Sequence, residues 1–179
     1  GAIDFGLVVD GSVVMIEKEF WRHSLDAVLR LGARAIFLVG PALERVQTLV
    51  SALDQAARAR ILVVERAPHS LLFPRASAIV HQCGIGTTAQ SLRSGRPVLA
   101  VPYAHDQPDN AWRAEHLGVA RTVRVPRYRG RHVAAVLQEL TSNPTFSMAA
   151  ERVAREVRAE RGLAGAADAL ERVFGLRDS

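Results

Sequence analysis

The strongest constraint on the fold is a rhythm in which a short apolar run, a polar turn and an amphipathic stretch follow one another repeatedly. "FGLVVDG", "RAIFLVG", "RILVVERA", "SAIVHQ", "RPVLAVPY" and "VARTVRV" lack regular alternation of apolar and polar residues. That is the pattern of strands covered on both faces. Between them, "EKEFWRHSLDAVLRLG", "ALERVQTLVSALDQAARA", "GTTAQSLRSG" and "QPDNAWRAEHLG" carry apolar residues at helical spacing, and "HSLLFPRA" reads as a short helix stopped near Pro74. Further helices are predicted over about 130–142 and 145–174. Strands that alternate with helices imply a parallel sheet with helices on both sides. The right-handed crossover rule then makes it a doubly wound, Rossmann-like α/β domain of about six strands. With no internal repeat, low-complexity tract or second boundary, residues 1–179 read as a single domain.

Composition narrows the function classes. The apolar fraction of 49% is that of a globular chain, and no run of 18 apolar residues is present to span a membrane. "GAIDFGLVVDGS" has no basic segment ahead of its apolar run, so a signal peptide is not expected. A single cysteine forms no internal disulfide and no cysteine-based zinc site, which fits a reducing cytoplasm. The net charge of +5 comes from 23 basic residues, nearly all arginine. They lie at helical spacing among alanines and glutamates, as in "AAERVAREVRAERG", which describes a solvated helix face better than a nucleic-acid interface.

In doubly wound sheets, ligands bind beyond the carboxyl ends of the strands, where strand meets helix N-terminus. This directs attention to the turns after Val9, Val64, Val80 and Val101. In "AIVHQCGIGTTAQSL", residues 78–92, Gly84 and Gly86 permit a tight or positive-φ turn and Thr87 or Thr88 is placed to cap the helix that follows. The first-turn amides and the positive end of the helix dipole then make an anion site, with diphosphate the natural occupant. His81 at the strand tip is placed to add a hydrogen bond or a charge. The next strand ends in "VPYAHDQPDNA", whose Asp106 and Gln107 are suited to sugar hydroxyls: the carboxylate accepts, and the amide accepts and donates. The simpler alternative is that Asp106 caps its helix. An anion site beside a hydroxyl clamp describes a nucleotide-sugar.

Residues 67–107, "APHSLLFPRASAIVHQCGIGTTAQSLRSGRPVLAVPYAHDQ", resemble the donor-binding signature of the UDP-glycosyltransferase superfamily, glycosyltransferase family 1, most closely the bacterial antibiotic, sterol and glycolipid enzymes. The anchors fall in order: a proline in the base loop, "H..G.GT" in the diphosphate turn, "G.P" before the next strand and "P....DQ" at its end. The resemblance implies the C-terminal half of a GT-B fold and a nucleotide-sugar donor-binding domain. It also implies roles: His81, Gly86, Thr87 and Thr88 at the diphosphate, with Gly11 and Ser12 approaching it from the first strand; Asp106 and Gln107 at the sugar; Arg66, Ala67 and Pro68 at the base, beside His69. Arg66 and Ala89 replace a tryptophan and a glutamate that plant members place at the base and ribose. The nucleotide is therefore open between UDP, dTDP and others.

Transfer of the sugar by inverting displacement needs a base for the acceptor hydroxyl and a counter-charge for the departing diphosphate. The second requirement is met here without a metal or other cofactor. The base belongs, by resemblance, to an N-terminal acceptor domain absent from these residues, so catalytic residues are expected outside the chain and the chain alone is expected to bind donor without turnover. That domain is the expected partner, in cis or in trans, and any membrane contact is expected through it. The alternatives are a free-standing donor-binding subunit of a split glycosyltransferase and a nucleotide-sugar epimerase-like domain. Cys83, His23, His105, His116, His132, Trp21 and Trp112 read as packing or surface residues, since they lack metal-ligand spacing.

Overall fold

The computed structural model describes residues 5–11, 18–160 and 162–174. In chain order its elements are β1 (Phe5–Asp10), α1 (Lys18–Leu31), β2 (Ala35–Leu38), α2 (Leu43–Ser51), α3 (Gln55–Arg58), β3 (Ile61–Val64), α4 (His69–Leu72), β4 (Ala76–His81) and α5 (Ile85–Ser94). They continue with β5 (Val98–Ala100), α6 (Gln107–His116), β6 (Ala120–Thr122), α7 (Gly130–Ser142), α8 (Pro144–Ala159) and α9 (Gly162–Phe174). The strands form one six-stranded sheet in the order β3-β2-β1-β4-β5-β6. Every pairing is parallel. The order reverses between β1 and β4, which makes their tips the switch point at which such sheets bind ligands.

Burial explains why the strands lack alternation. Leu7 and Val9 face a cluster with Phe20, Trp21 and Val28 of α1 and Val133 and Leu137 of α7, whereas Val8 points the other way to Ile36, Leu38, Leu72 and Phe73. Further along that second face, Val98 and Ala100 meet Ala111 and Ala114 of α6 and Ala150 and Val153 of α8. With both faces covered, the central strand residues need apolar side chains, while edge strand β3 is only partly buried. Trp21 is 1% exposed, and its edge-to-face contact with Phe20 (ring centroids 5.0 Å apart) belongs to this core.

Two predicted helices are interrupted. The stretch 42–59 breaks at Leu53, where Asp54 accepts the Ala57 N–H at 2.8 Å and starts α3. The stretch 145–174 breaks between α8 and α9. Apolar spacing continues across both breaks, so periodicity did not reveal them; the cap at Asp54 decides the first.

The helix behind the anion turn is fixed at its far end. Gly95 closes α5 at φ 76°, a conformation that disfavours a side chain. Arg158 of α8 donates to the Arg93 and Ser94 carbonyls at 2.8 and 3.2 Å. These bonds satisfy carbonyls that the helix end leaves open and tie α5 to the sheet's outer layer.

Candidate functional site

β4 delivers His81 to the switch point, and the chain turns through Gln82, Cys83 and Gly84 into α5. The left-handed conformation predicted for a glycine falls instead on Cys83, at φ 65°. Gly84 is the N-cap at φ −60°, with no side-chain cap, so neither Thr87 nor Thr88 plays the capping role expected from the sequence. A Cβ at Gly84 or Gly86 would meet nothing within 4 Å beyond the adjoining chain and its own helix backbone. These glycines are therefore not required by protein packing; they leave the helix mouth bare. The amides of Ile85, Gly86 and Thr87 lack an intrahelical acceptor, as at every helix start. They sit at the positive end of the dipole with nothing of the turn's own covering them.

Cys83 keeps its conformation through bonds from either side. Its N–H donates to His81 Nδ1 at 3.0 Å, and its carbonyl accepts from Asn110 Nδ2 at 2.9 Å. With Nδ1 accepting, the neutral His81 ring carries its proton on Nε2 and donates it to Ser91 Oγ at 3.1 Å. Ser91 in turn donates to the Thr88 carbonyl at 2.9 Å. His81 is fully buried, and burial lowers its pKa from 6.5 to about 4; Asp10 opposes that shift and His69 adds to it. The charge expected from the sequence is thus not carried near neutral pH: the ring is neutral and both nitrogens hold the turn. Burial likewise pushes the Cys83 thiol up to about 12, against a contact with the Thr88 hydroxyl. A thiol held protonated at neutral pH is a poor nucleophile.

The turn after β5 is built from side chains. His105 takes φ 58°, and Asp106 follows in helical conformation without capping α6. Its carboxylate Oδ2 accepts from Asn110 Nδ2 at 2.7 Å, so the capping alternative does not hold. Gln107 differs from expectation in one respect. It is 7% exposed and its Oε1 accepts the N–H groups of Tyr103 and Ala104 at 2.8 and 3.2 Å, which leaves its amide nitrogen as the donor. Asn110 joins the two turns: one of its N–H bonds reaches the Cys83 carbonyl and the other the Asp106 carboxylate. The sequence reading missed it, although the spacing of Asp106 and Asn110, four residues apart on one helix, was a usable signal.

On the other side of the switch point, Gly11 donates its N–H to the Leu38 carbonyl at 3.0 Å, and Ser12 lies outside the described residues. The predicted base loop leads into α4. Ala67 packs on the Val8–Phe73 cluster, Pro68 is the N-cap of α4, and the exposed Arg66 pairs with Glu65 at 3.7 Å. Also missed in the sequence was Asp10, the last residue of β1, whose buried Oδ2 meets His69 Nε2 at 3.1 Å. Among the described residues no three His, Cys, Asp or Glu side chains cluster as metal ligands, and no helix is long and apolar enough to cross a membrane.

Comparisons with known proteins fit this geometry. The family model "Erythromycin biosynthesis protein CIII-like, C-terminal domain" matches residues 25–172. O-mycaminosyltylonolide 6-deoxyallosyltransferase of Streptomyces fradiae is 36% identical over 124 residues, 69% of this chain and 29% of that protein. A sterol 3-beta-glucosyltransferase of Neurospora crassa is 31% identical over 175 residues, 95% of this chain and 11% of that protein. Among solved structures, the glycotransferase of kitacinnamycin superposes with a TM-score of 0.82 at 24% identity, over 96% of this chain and 43% of its own. Glycosyltransferase VinC in complex with dTDP gives 0.78 at 25% identity, over 94% and 41%. The chain therefore spans less than half of each of these relatives, and its sheet is the C-terminal half of their GT-B fold.

Proposed function

Because the chain belongs to the erythromycin biosynthesis protein CIII-like C-terminal domain family, within the UDP-glycosyltransferases, we propose that it seats the sugar donor for glycosyl transfer by a larger glycosyltransferase. The observation that carries this reading is the joining of the turn before a bare helix N-terminus to the Asp106 carboxylate by one residue, Asn110. The amides of Ile85, Gly86 and Thr87 would bind the diphosphate, with the Thr87 hydroxyl beside them; the Thr88 hydroxyl, expected there from the sequence, is buried against the Cys83 thiol and would only support the turn. Asp106 would accept from a sugar hydroxyl through the carboxylate edge away from Asn110, and Gln107 would donate through its amide nitrogen. The loop of Arg66, Ala67 and Pro68 would lie against the base, chiefly through the backbone of Ala67. His81 would act by holding the turn.

The chemistry follows from that seat. An acceptor hydroxyl, deprotonated by a base on the acceptor-binding half outside these residues, attacks the anomeric carbon from the face opposite the diphosphate. The bond from that carbon to the phosphate oxygen breaks, and negative charge builds on the departing diphosphate. Fixed N–H dipoles aimed at that charge stabilise it without reorganisation, which is why the reading assigns no metal. The nucleotide is proposed as UDP or dTDP and the setting as the cytoplasm.

The test is a calorimetric titration of the 179-residue chain with UDP, dTDP and GDP, run beside a sugar-transfer assay of the same chain. Saturable binding of a pyrimidine diphosphate with no transfer is the expected result. Failure to bind any of the three would overturn the donor reading, and sugar transfer by the chain alone would overturn the assignment of the base to another half.

A further inference from the structure

We propose that Asp10 and His69 form a positioning couple that ties the nucleotide-base loop, residues 65–68, to the tip of β1 and so sets the affinity for the nucleoside part of the donor. The inference rests on the donor reading above and adds residues to which that reading gives no role.

Asp10 is 0% exposed at the end of β1, beside the switch point. A buried carboxyl group is costly unless polar groups meet it. His69 Nε2 faces the Asp10 Oδ2 atom at 3.1 Å from the end of the base loop. The imidazole is itself held on a second side, stacked on the fully buried Phe73 with ring centroids 4.4 Å apart and planes 14° from parallel.

The location gives this pair its effect. The upstream end of the base loop is fixed by backbone bonds, with the Val39 and Gly40 N–H groups donating to the Val64 and Glu65 carbonyls at 3.0 Å each. Its downstream end enters α4, a single turn of helix whose N-cap, Pro68, makes no side-chain cap bond. So short a helix has little stability of its own. His69 is the first residue of that turn, directly after Ala67 and Pro68, and its contact with Asp10 runs from the loop's end to the strand beside the diphosphate turn. With the couple formed, base loop and diphosphate turn are held at a fixed separation and a nucleotide meets both at once; with it broken, the loop has to be ordered on binding, which lowers affinity.

A purely structural ion pair predicts something different, and ligand choice separates the two. Calorimetry with UDP, dTDP and inorganic pyrophosphate would be run on the unmodified chain and on Asp10→Leu, His69→Phe, the double variant and Asp10→Asn, each checked for a cooperative thermal transition. His69→Phe keeps the stack on Phe73 and loses the Nε2 contact; Asp10→Asn keeps a polar oxygen facing Nε2. The expected result is about a tenfold loss of nucleotide affinity in Asp10→Leu and in His69→Phe. The double variant should be no worse than either single one, and Asp10→Asn should recover most of the loss. Pyrophosphate, which has no base, should bind within about twofold in all of them. Parallel loss of pyrophosphate, or unchanged nucleotide affinity in His69→Phe, would overturn the couple while leaving the donor reading intact. Absence of nucleotide binding by the unmodified chain would overturn both. Should Asp10→Leu fail to fold, His69→Phe and Asp10→Asn decide the matter between them.

Discussion

The turn after β4 and the turn after β5 each place a non-glycine residue at positive φ just before a helix, Cys83 at 65° and His105 at 58°. Cys83 is fully buried and bonded on both sides, whereas His105 is exposed. The first turn presents backbone N–H groups behind a floor of engaged side chains. The second presents the side chains of Asp106 and Gln107 from a backbone that Gln107 itself braces. A diphosphate asks for charge and direction, which the backbone of any sequence can supply. A sugar asks for donors and acceptors in a particular order, which only chosen side chains provide. In the proposed reading, a buried scaffold would hold the anion seat and an exposed loop would carry the sugar seat, as that division requires.

The largest expected effect breaks the scaffold of the first turn by acid. Unfolded, His81 has its ordinary pKa of 6.5; folded, it is held near 4. Between those values the unfolded chain binds more protons, so stability falls as pH drops from 6.5 toward 4. At 1.36 kcal/mol per unit the loss attributable to this ring approaches about 3 kcal/mol. Denaturant unfolding at a series of pH values should show that slope, and His81→Gln, which removes the titrating ring, should flatten it. An equal slope in the variant would reassign the effect to other groups.

A smaller effect tests the bridge between the turns. Asn110→Leu leaves the Cys83 carbonyl and the Asp106 carboxylate without their shared donor, and should cost about 1–2 kcal/mol in unfolding free energy. It should also weaken a sugar-bearing donor more than the bare diphosphate, because Asp106 loses its orientation. Equal weakening of the two ligands would mean that Asn110 serves the diphosphate turn alone.

The smallest effect contrasts the two strained residues directly. His105→Gly should stabilise by about 1 kcal/mol, since it relieves the left-handed conformation without uncovering apolar surface. Cys83→Gly gains the same relief and loses a buried side chain, so it should stay within about 1 kcal/mol of the original. Equilibrium unfolding curves of the two variants would blunt the contrast if they shifted together.

The strands and the two site turns were legible because both are local: unbroken apolar runs declare strands with two covered faces, and "HQCGIGTT" and "DQ" lie at their ends. What was not legible depends on partners distant in sequence. Asp10 and His69 are brought together by a strand and a helix that no local pattern links, and the roles of His81 and Gln107 turn on which of their atoms are already engaged. That Cys83, not a glycine, occupies the left-handed position follows from its bonds to His81 and Asn110, which local propensity does not include.

The division between an anion seat made of backbone and a sugar seat made of side chains is tested most directly by calorimetry on Gly86→Val and Asp106→Ala, using UDP and the UDP-sugar that the unmodified chain binds best. Beyond the adjoining chain and its own helix backbone, nothing lies within 4 Å of a Cβ at Gly86, so the valine variant should fold and obstruct the helix mouth. It should lose at least about tenfold in affinity for UDP and for the sugar-bearing donor alike, whereas Asp106→Ala should leave UDP within about twofold and weaken the donor. UDP affinity unchanged by Gly86→Val, or lost equally in both variants, would contradict the account.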